Sequence, residues 1–398
     1  MKRILLVFLL LCTSPVLWAQ PFEGMREAIE QGGFGNIKAV LVSRHGEIIY
    51  EEYFRGAQAS ELHQVHSVTK SVGSALIGIA HRQGKIQLDQ GLDDFFSDLY
   101  PIGSGAYARK QDITVEAVLQ QRLGIAWDEW TLDYLDRQNP VSEAINSGDW
   151  YRAVLRTPMD SEPGEKFAYN TMGSTLMSRM IRSVSGQSPR NFAMQELFRP
   201  LGILSIHWEG YSEQGRGNGM TDFPNPDGDE PLGMMLWLRT GDMMKLGELY
   251  LNGGVYKGQR ILDQSWIDAS WTNYSHSGNT PYFANHPESG SGYQWWATGI
   301  TDDRDRRWKV NYANGWGRQF ILVIPDLDMV VVSVSDDYQY EGPGIGTLLR
   351  SYIFPETDPV LDSRFNGAWY DPEMDGQGVT LEILNDGQRL VGWWYTFD

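Results

Sequence analysis

The residue types best placed to do chemistry in this 398-residue chain are a serine and a lysine three positions apart, Ser67 and Lys70, at the front of an apolar run. From Val68 onward the apolar side chains fall at 68, 72, 75, 76 and 79, the spacing of a helix with one buried face. That spacing puts Ser67 at the helix N-terminus and Lys70 on the same face one turn on. A serine hydroxyl is a poor nucleophile. It needs a nearby base and a place for the negative charge that develops on the attacked carbonyl. The first turn of a helix supplies unpaired N–H groups, and a desolvated lysine can give up its proton near neutrality. The pattern alone also fits a serine cap beside a solvated lysine, so it needs partners elsewhere.

Elements that could position the pair are legible on both sides of it. A short helix is expected over 22–30. Ala39 to Val42 and Ile48 to Tyr50 flank Arg44-His45-Gly46-Glu47, a hairpin pattern. Far downstream, Phe320 to Ile324 and Met329 to Val334 flank Pro325-Asp326-Leu327-Asp328, a hairpin of buried strands, and 347–353 reads as a closing helix. Between these ends lie a helix from Ile113 capped by Thr114, aromatic-rich turns over 127–150, and a turn at Pro163-Gly164 leading through Tyr169 into a short extended piece. A helix over 176–184 closed by Gly186, a loop over 210–233 and a helix from a Thr240-Gly241-Asp242 cap to Leu251 follow. Strands at both ends of a long middle section predict an α+β fold. It has an antiparallel sheet flanked by helices and an inserted, mostly helical region.

Composition narrows the partners. Lys2 and Arg3, the apolar run to Leu11 and Ala19 have the form of a secretory signal peptide over 1–19, which predicts a periplasmic or secreted protein. Cys12, the single cysteine, lies inside that leader, so no disulfide framework or thiolate chemistry is expected. The formal charge is −18, and −20 once Lys2 and Arg3 are removed, which disfavours nucleic acid as a partner. No later apolar run approaches membrane-spanning length. The expected organisation is a main domain over 22–354, a linker over 355–364 and a short β module over 365–398 that breaks off where a further strand is expected.

Taken together, these stretches resemble the serine β-lactamase-like hydrolases of the class C type. That family also holds penicillin-binding proteins, carboxylesterases and hydrolases of aminohexanoate dimers. The resemblance rests on Ser67-Val-Thr-Lys70, Ile113-Thr-Val115 with Leu123-Gly124, Pro163 to Tyr169, Gly241 to Gly247, and Asn314-Gly-Trp-Gly317, in that order. It implies Ser67 as nucleophile, Lys70 as the family lysine and Tyr169 as a base and proton shuttle whose ionisation the lysine eases. The backbone N–H groups of Ser67 and Trp316 would form the oxyanion hole. Thr171, Asn314 and Gly315 fall at substrate-binding positions, and neither a metal nor a cofactor is implied.

Two positions depart from the family pattern. Thr171 stands where an asparagine is usual, and Ala313-Asn314-Gly315 stands where a Lys-Thr-Gly or His-x-Gly string is usual, so the cation that would hold a β-lactam carboxylate is missing. Arg318 and Arg239 are the candidate substitutes. Arg239-Thr240-Gly241 imitates the third string but precedes a helix. His63 and His66 read as packed neighbours, and Trp127, Trp130, Trp295, Trp296 and Trp316 as candidate walls of an apolar acyl pocket, though core packing explains these tryptophans equally well. The expected activity is hydrolysis of a small-molecule ester or amide through an acyl-enzyme. The alternative is an inactive relative that binds cell-wall peptide or glycan.

Overall fold

The computed structural model describes residues 22–208, 225–275, 283, 289–340, 342–357, 367–370, 377–384 and 389–396. The leader, much of the loop expected over 210–233 and most of the linker lie outside these residues. Seven strands make the main sheet: β1 (Ile37–Arg44), β2 (Glu47–Tyr53), β3 (Gly290–Ser291), β4 (Trp296–Thr301), β5 (Arg307–Gly315), β6 (Gln319–Ile324) and β7 (Met329–Ser335). Their order is β2-β1-β7-β6-β5-β4-β3, antiparallel throughout. The first and last parts of the chain therefore meet where β1 pairs with β7. The β1–β2 hairpin turns through His45 and Gly46, both at positive φ, as a two-residue turn matched to strand twist requires.

Both faces of the sheet are buried, which explains why the central strands are continuously apolar rather than alternating. Ala39, Leu41, Ile321, Val323, Val330 and Val332 face one core. Val40, Val42, Leu322, Ile324 and Val331 face the other, covered by α1 (Glu23–Glu30) and the closing helical segment 345–357. The first core also takes in α2 (Val68–Arg82), α3 (Thr171–Ser185) and α4 (Thr240–Leu251). The α+β expectation is met.

Four local expectations change. Helix α2 is buried all round from Val68 to Ala80 rather than on one face, because it lies between the sheet and the inserted helices. Helix α3 begins at Thr171, not 176: the Asn170 side chain accepts from Gly173 N at 2.5 Å and caps it, so no extended piece follows Tyr169. Helix α4 has no side-chain cap, and the Thr240 hydroxyl instead meets Tyr53 at 3.2 Å. Pro355 to Thr357, assigned to the linker, continue the closing helix. Thr114 does cap its helix, accepting from Ala117 N at 3.1 Å. The C-terminal strands Gly367–Tyr370, Gln377–Leu384 and Arg389–Thr396 form a separate three-stranded antiparallel sheet.

Helix α4 reaches the sheet through Gly247, where an added Cβ would lie 2.4 Å from Val330 Cγ1 and 2.9 Å from Ile321 Cγ2. Gly247→Ala should lower the urea midpoint, because overpacking of about 1–3 kcal/mol outweighs the roughly 1 kcal/mol gain in helix propensity. An unchanged or raised midpoint would mean the helix is not seated this closely.

Candidate active site

The turn that delivers Ser67 is built from three successive i→i−3 bonds: Val68 N to Val65 O, Thr69 N to His66 O and Lys70 N to Ser67 O, at 3.0–3.1 Å. Ser67 already has helical φ and ψ and makes no side-chain cap, so its hydroxyl is left for other work and its N–H precedes the helical bonding pattern. His66, just before it, sits at φ 46°, a left-handed conformation costing about 1–3 kcal/mol for a residue with a side chain. Packing holds it there. His66 Nε2 meets Tyr338 OH at 3.2 Å, and the ring lies edge-on to Trp316 at 5.6 Å. Burial and the Lys70 charge push the imidazole pKa down to about 4, so it is neutral at pH 7.

Strand β5 runs along the other side of this turn. Its pairing with β4 ends at Tyr312, so Ala313 to Gly315 project past that neighbour while still pairing with β6. A Cβ on Gly315 would fall 2.2 Å from Val65 O, so only glycine lets the strand approach the Val65–Ser67 turn. The approach brings the Trp316 end of the strand to the cleft that Ser67 faces. Asn314 is buried with its Oδ1 unpartnered.

Lys70 is 2% exposed, and its Nζ has three partners: Ser67 Oγ at 2.8 Å, Thr171 Oγ1 at 3.0 Å and Gly233 O at 3.0 Å. The same Nζ lies 4.8 Å over the Tyr169 ring. Burial lowers the lysine pKa to about 7, against the opposing pull of the Glu129 carboxylate. Thr171, standing where the family pattern has an asparagine, thus still offers the lysine a hydrogen-bond acceptor. Tyr169 stands between Trp130 and Trp296, stacked at 5.2 and 5.8 Å. Its chain is fixed by Ala168 N to Gln121 O at 3.0 Å and Asn170 N to Gln121 Oε1 at 3.2 Å. Its pKa moves opposite to the expectation. Burial, then the Glu129 charge, raise it, while the nearby Ser67 and Thr171 hydroxyls act the other way with less effect. The phenol is neutral at pH 7.

Glu129 is the residue that the sequence reading missed. It lies on an irregular loop among turn residues and carries no periodicity. The only hint is an acidic residue between Trp127 and Trp130 in a segment read as lining a cleft. Of the five tryptophans, Trp130 and Trp316 line the main cleft, and Trp296 backs Tyr169. Trp295 instead packs 4.2 Å from Tyr250 in the core, and Trp127 donates to Glu129 at 2.8 Å.

The cleft has a volume of about 400 Å³. Ser67, Tyr169, Thr171, Asn314 and Trp316 reach it, together with Trp130, Tyr134, Leu135, Met234, Met235 and Tyr340. Among the described residues, no lysine or arginine lines it. Arg318 is 8% exposed and committed elsewhere, to Asp337 at 3.0 Å and Pro343 O at 2.9 Å. Arg239 donates to Ser60 O at 3.1 Å and precedes α4, so its Thr-Gly string does not stand at the cleft.

A beta-lactamase family model matches residues 27–346. The chain belongs to the beta-lactamase family. It is 24% identical over 333 residues to the 6-aminohexanoate-dimer hydrolase of Paenarthrobacter ureafaciens, covering 78% of this chain and 76% of the relative. The fold is similar to that of the octameric penicillin-binding protein homologue from Pyrococcus abyssi, with TM-score 0.61, 15% identity, and 93% and 88% of the two chains covered. It is equally similar to EstCE1, a hydrolase with promiscuous acyltransferase activity, with TM-score 0.60, 14% identity, and 84% and 97% covered. Family membership makes this protein a serine hydrolase. No helix among the described residues is long and apolar enough to cross a membrane.

In 13C-lysine NMR, one Cε resonance should titrate near pH 7 and vanish in Lys70→Met. If all lysine signals titrate near 10, the buried amino group is not as described.

Proposed function

We propose that this family member is an exported hydrolase of neutral esters or amides with an apolar acyl group, working through an acyl-enzyme on Ser67. The observation that carries the reading is the buried Lys70 Nζ 2.8 Å from Ser67 Oγ, with a pKa near 7, at the edge of an uncharged aromatic cleft. As a free amine, Lys70 takes the Ser67 proton while Oγ attacks the substrate carbonyl carbon. The carbonyl oxygen, now negative, is met by the N–H groups of Ser67 and Trp316 on the facing turn and strand. Collapse expels the alcohol or amine, which receives the proton from Lys70, and water then repeats the sequence against the acyl-enzyme. Tyr169, neutral and beside both Ser67 and Lys70, serves as a proton relay rather than as a phenolate base. Asn314 and Thr171, which line the cleft, bound the substrate position, and Gly315 lets the strand that carries Asn314 close on the Ser67 turn.

Substrate choice follows from charge. A β-lactam carboxylate needs a cation, and the described residues of the cleft offer none, since His66 is neutral and Arg318 is tied to Asp337. The acidic chain adds a weak repulsion of anions. The names of the relatives, a 6-aminohexanoate-dimer hydrolase and a hydrolase with promiscuous acyltransferase activity, support ester or amide chemistry. Export rests on residues 1–19 alone.

The test is a panel of short p-nitrophenyl esters, linear amides and nitrocefin. Ser67→Ala should abolish turnover, and Lys70→Ala and Tyr169→Phe should each cost about two to four decades, the range for lost proton-transfer help. Neutral esters should exceed nitrocefin in kcat/KM by about a hundredfold or more, about 2.7 kcal/mol of transition-state binding. Activity retained in Ser67→Ala would refute the mechanism, and no turnover on any substrate would favour the inactive binding protein.

A further inference from the structure

Glu129 is 2% exposed, yet its carboxylate is surrounded by donors. Oε2 accepts from Thr171 N at 2.7 Å and Trp127 Nε1 at 2.8 Å, while Oε1 accepts from the Thr171 hydroxyl at 2.5 Å and Tyr134 OH at 2.9 Å. A backbone N–H and an indole N–H can only donate, and the carboxylate oxygens accept from both and from the Thr171 hydroxyl. The direction of the Thr171 hydroxyl bond is therefore set: its proton points at Glu129, and its oxygen has lone pairs left for Lys70.

That direction matters one bond further on. When Lys70 is a free amine, it has two N–H donors and one lone pair. Gly233 O can only accept, and the Thr171 oxygen, its proton committed, accepts as well. The third partner, Ser67 Oγ, faces the lone pair. We propose that Glu129 is a positioning residue which, by holding the Thr171 proton, leaves Ser67, among the described residues, as the single hydrogen-bonded group able to donate a proton to Lys70. The proposal rests on the Ser67–Lys70 reading above. It also joins the base to the cleft wall, because the donors on Glu129 include Tyr134, whose ring lines the cleft. The charged or titratable groups around Lys70 are Glu129 from the 127–139 loop, neutral His66 from the turn before α2 and neutral Tyr169 before α3; β5 and the 225–235 loop offer the uncharged Asn314 and the Gly233 carbonyl.

Glu129→Gln tests the direction of this chain. The amide oxygen must stay with Thr171 N and Trp127 Nε1, which puts the amide NH₂ against the Thr171 hydroxyl. Thr171 then accepts from glutamine and turns its proton to the Lys70 lone pair, in competition with Ser67. kcat/KM on a neutral ester should be measured against pH for the full chain, Glu129→Gln, Glu129→Asp and Glu129→Gln/Thr171→Val, with Ser67→Ala as baseline. Glu129→Gln is expected to lose about a hundredfold on the plateau, within the range for disrupted general-base catalysis. Its acid limb should move to lower pH, because the carboxylate that favoured the ammonium is gone. Glu129→Asp, which keeps the charge and the acceptor, should retain more activity and an unmoved limb. The double variant should recover about tenfold over Glu129→Gln, since the competing hydroxyl has been removed. A Glu129→Gln enzyme within threefold of wild type overturns the proposal. So does a double variant no faster than the single one together with an unmoved acid limb, the result for a residue that merely holds the loop. Turnover surviving in Ser67→Ala would instead refute the acyl-enzyme reading itself.

Discussion

The structure depends on burying one amino group. Taking the Lys70 ammonium out of water is costly unless polar partners replace its hydration. Here the replacements come from three separate places: Ser67 on the same turn, Thr171 at the start of α3, and Gly233 on the loop before α4. None of these acceptors carries a full charge, so desolvation prevails and the pKa falls to about 7. The sheet and the all-round burial of α2 create that desolvation. The same convergence fixes how α2, α3 and the 225–235 loop sit relative to one another. Fold and chemistry therefore impose a single requirement on these segments.

Beside this polar point the cleft is apolar and aromatic. Tyr169 is held by two stacked tryptophans, contacts of about 0.5–1.5 kcal/mol each beyond area burial. A phenol fixed in this way, with a carboxylate nearby, keeps its proton. The division of labour follows from environment: the same burial that leaves the lysine a free amine near neutrality makes the tyrosine a poorer acid. The Gly315 approach brings the strand end at Trp316 within reach of the turn without a side chain intervening.

Much of this was legible in the chain, for reasons that differ by residue. Ser67 and Lys70 share a helical turn, so their proximity follows from local geometry. The buried hairpins announced themselves by apolar runs around turn residues, and their two-sided burial is why they read so clearly. Tyr169, Asn314 and Gly315 were found through resemblance, since nothing local ties them to Ser67. Glu129 escaped because two of its four donors come from Thr171, 42 positions along the chain, and its own loop has no period. The direction of the Tyr169 shift escaped because it depends on burial and on Glu129, neither of which spacing encodes. Helix α3 starts before the apolar spacing that marks 176–184, because its first turn is set by the Asn170 side-chain cap rather than by periodicity.

The central claim, that Lys70 removes the Ser67 proton, is tested most directly by the rate at which a fluorophosphonate labels Ser67 as a function of pH. This single covalent step is free of leaving-group and deacylation effects. The account predicts a labelling rate that rises with pH as Lys70 loses its proton, with a midpoint near 7, and that is lost in Ser67→Ala and flattened in Lys70→Ala. A midpoint that stays near 7 in Lys70→Ala, or a rate that begins to rise only above about pH 9, where ordinary lysines and tyrosines titrate, would contradict it.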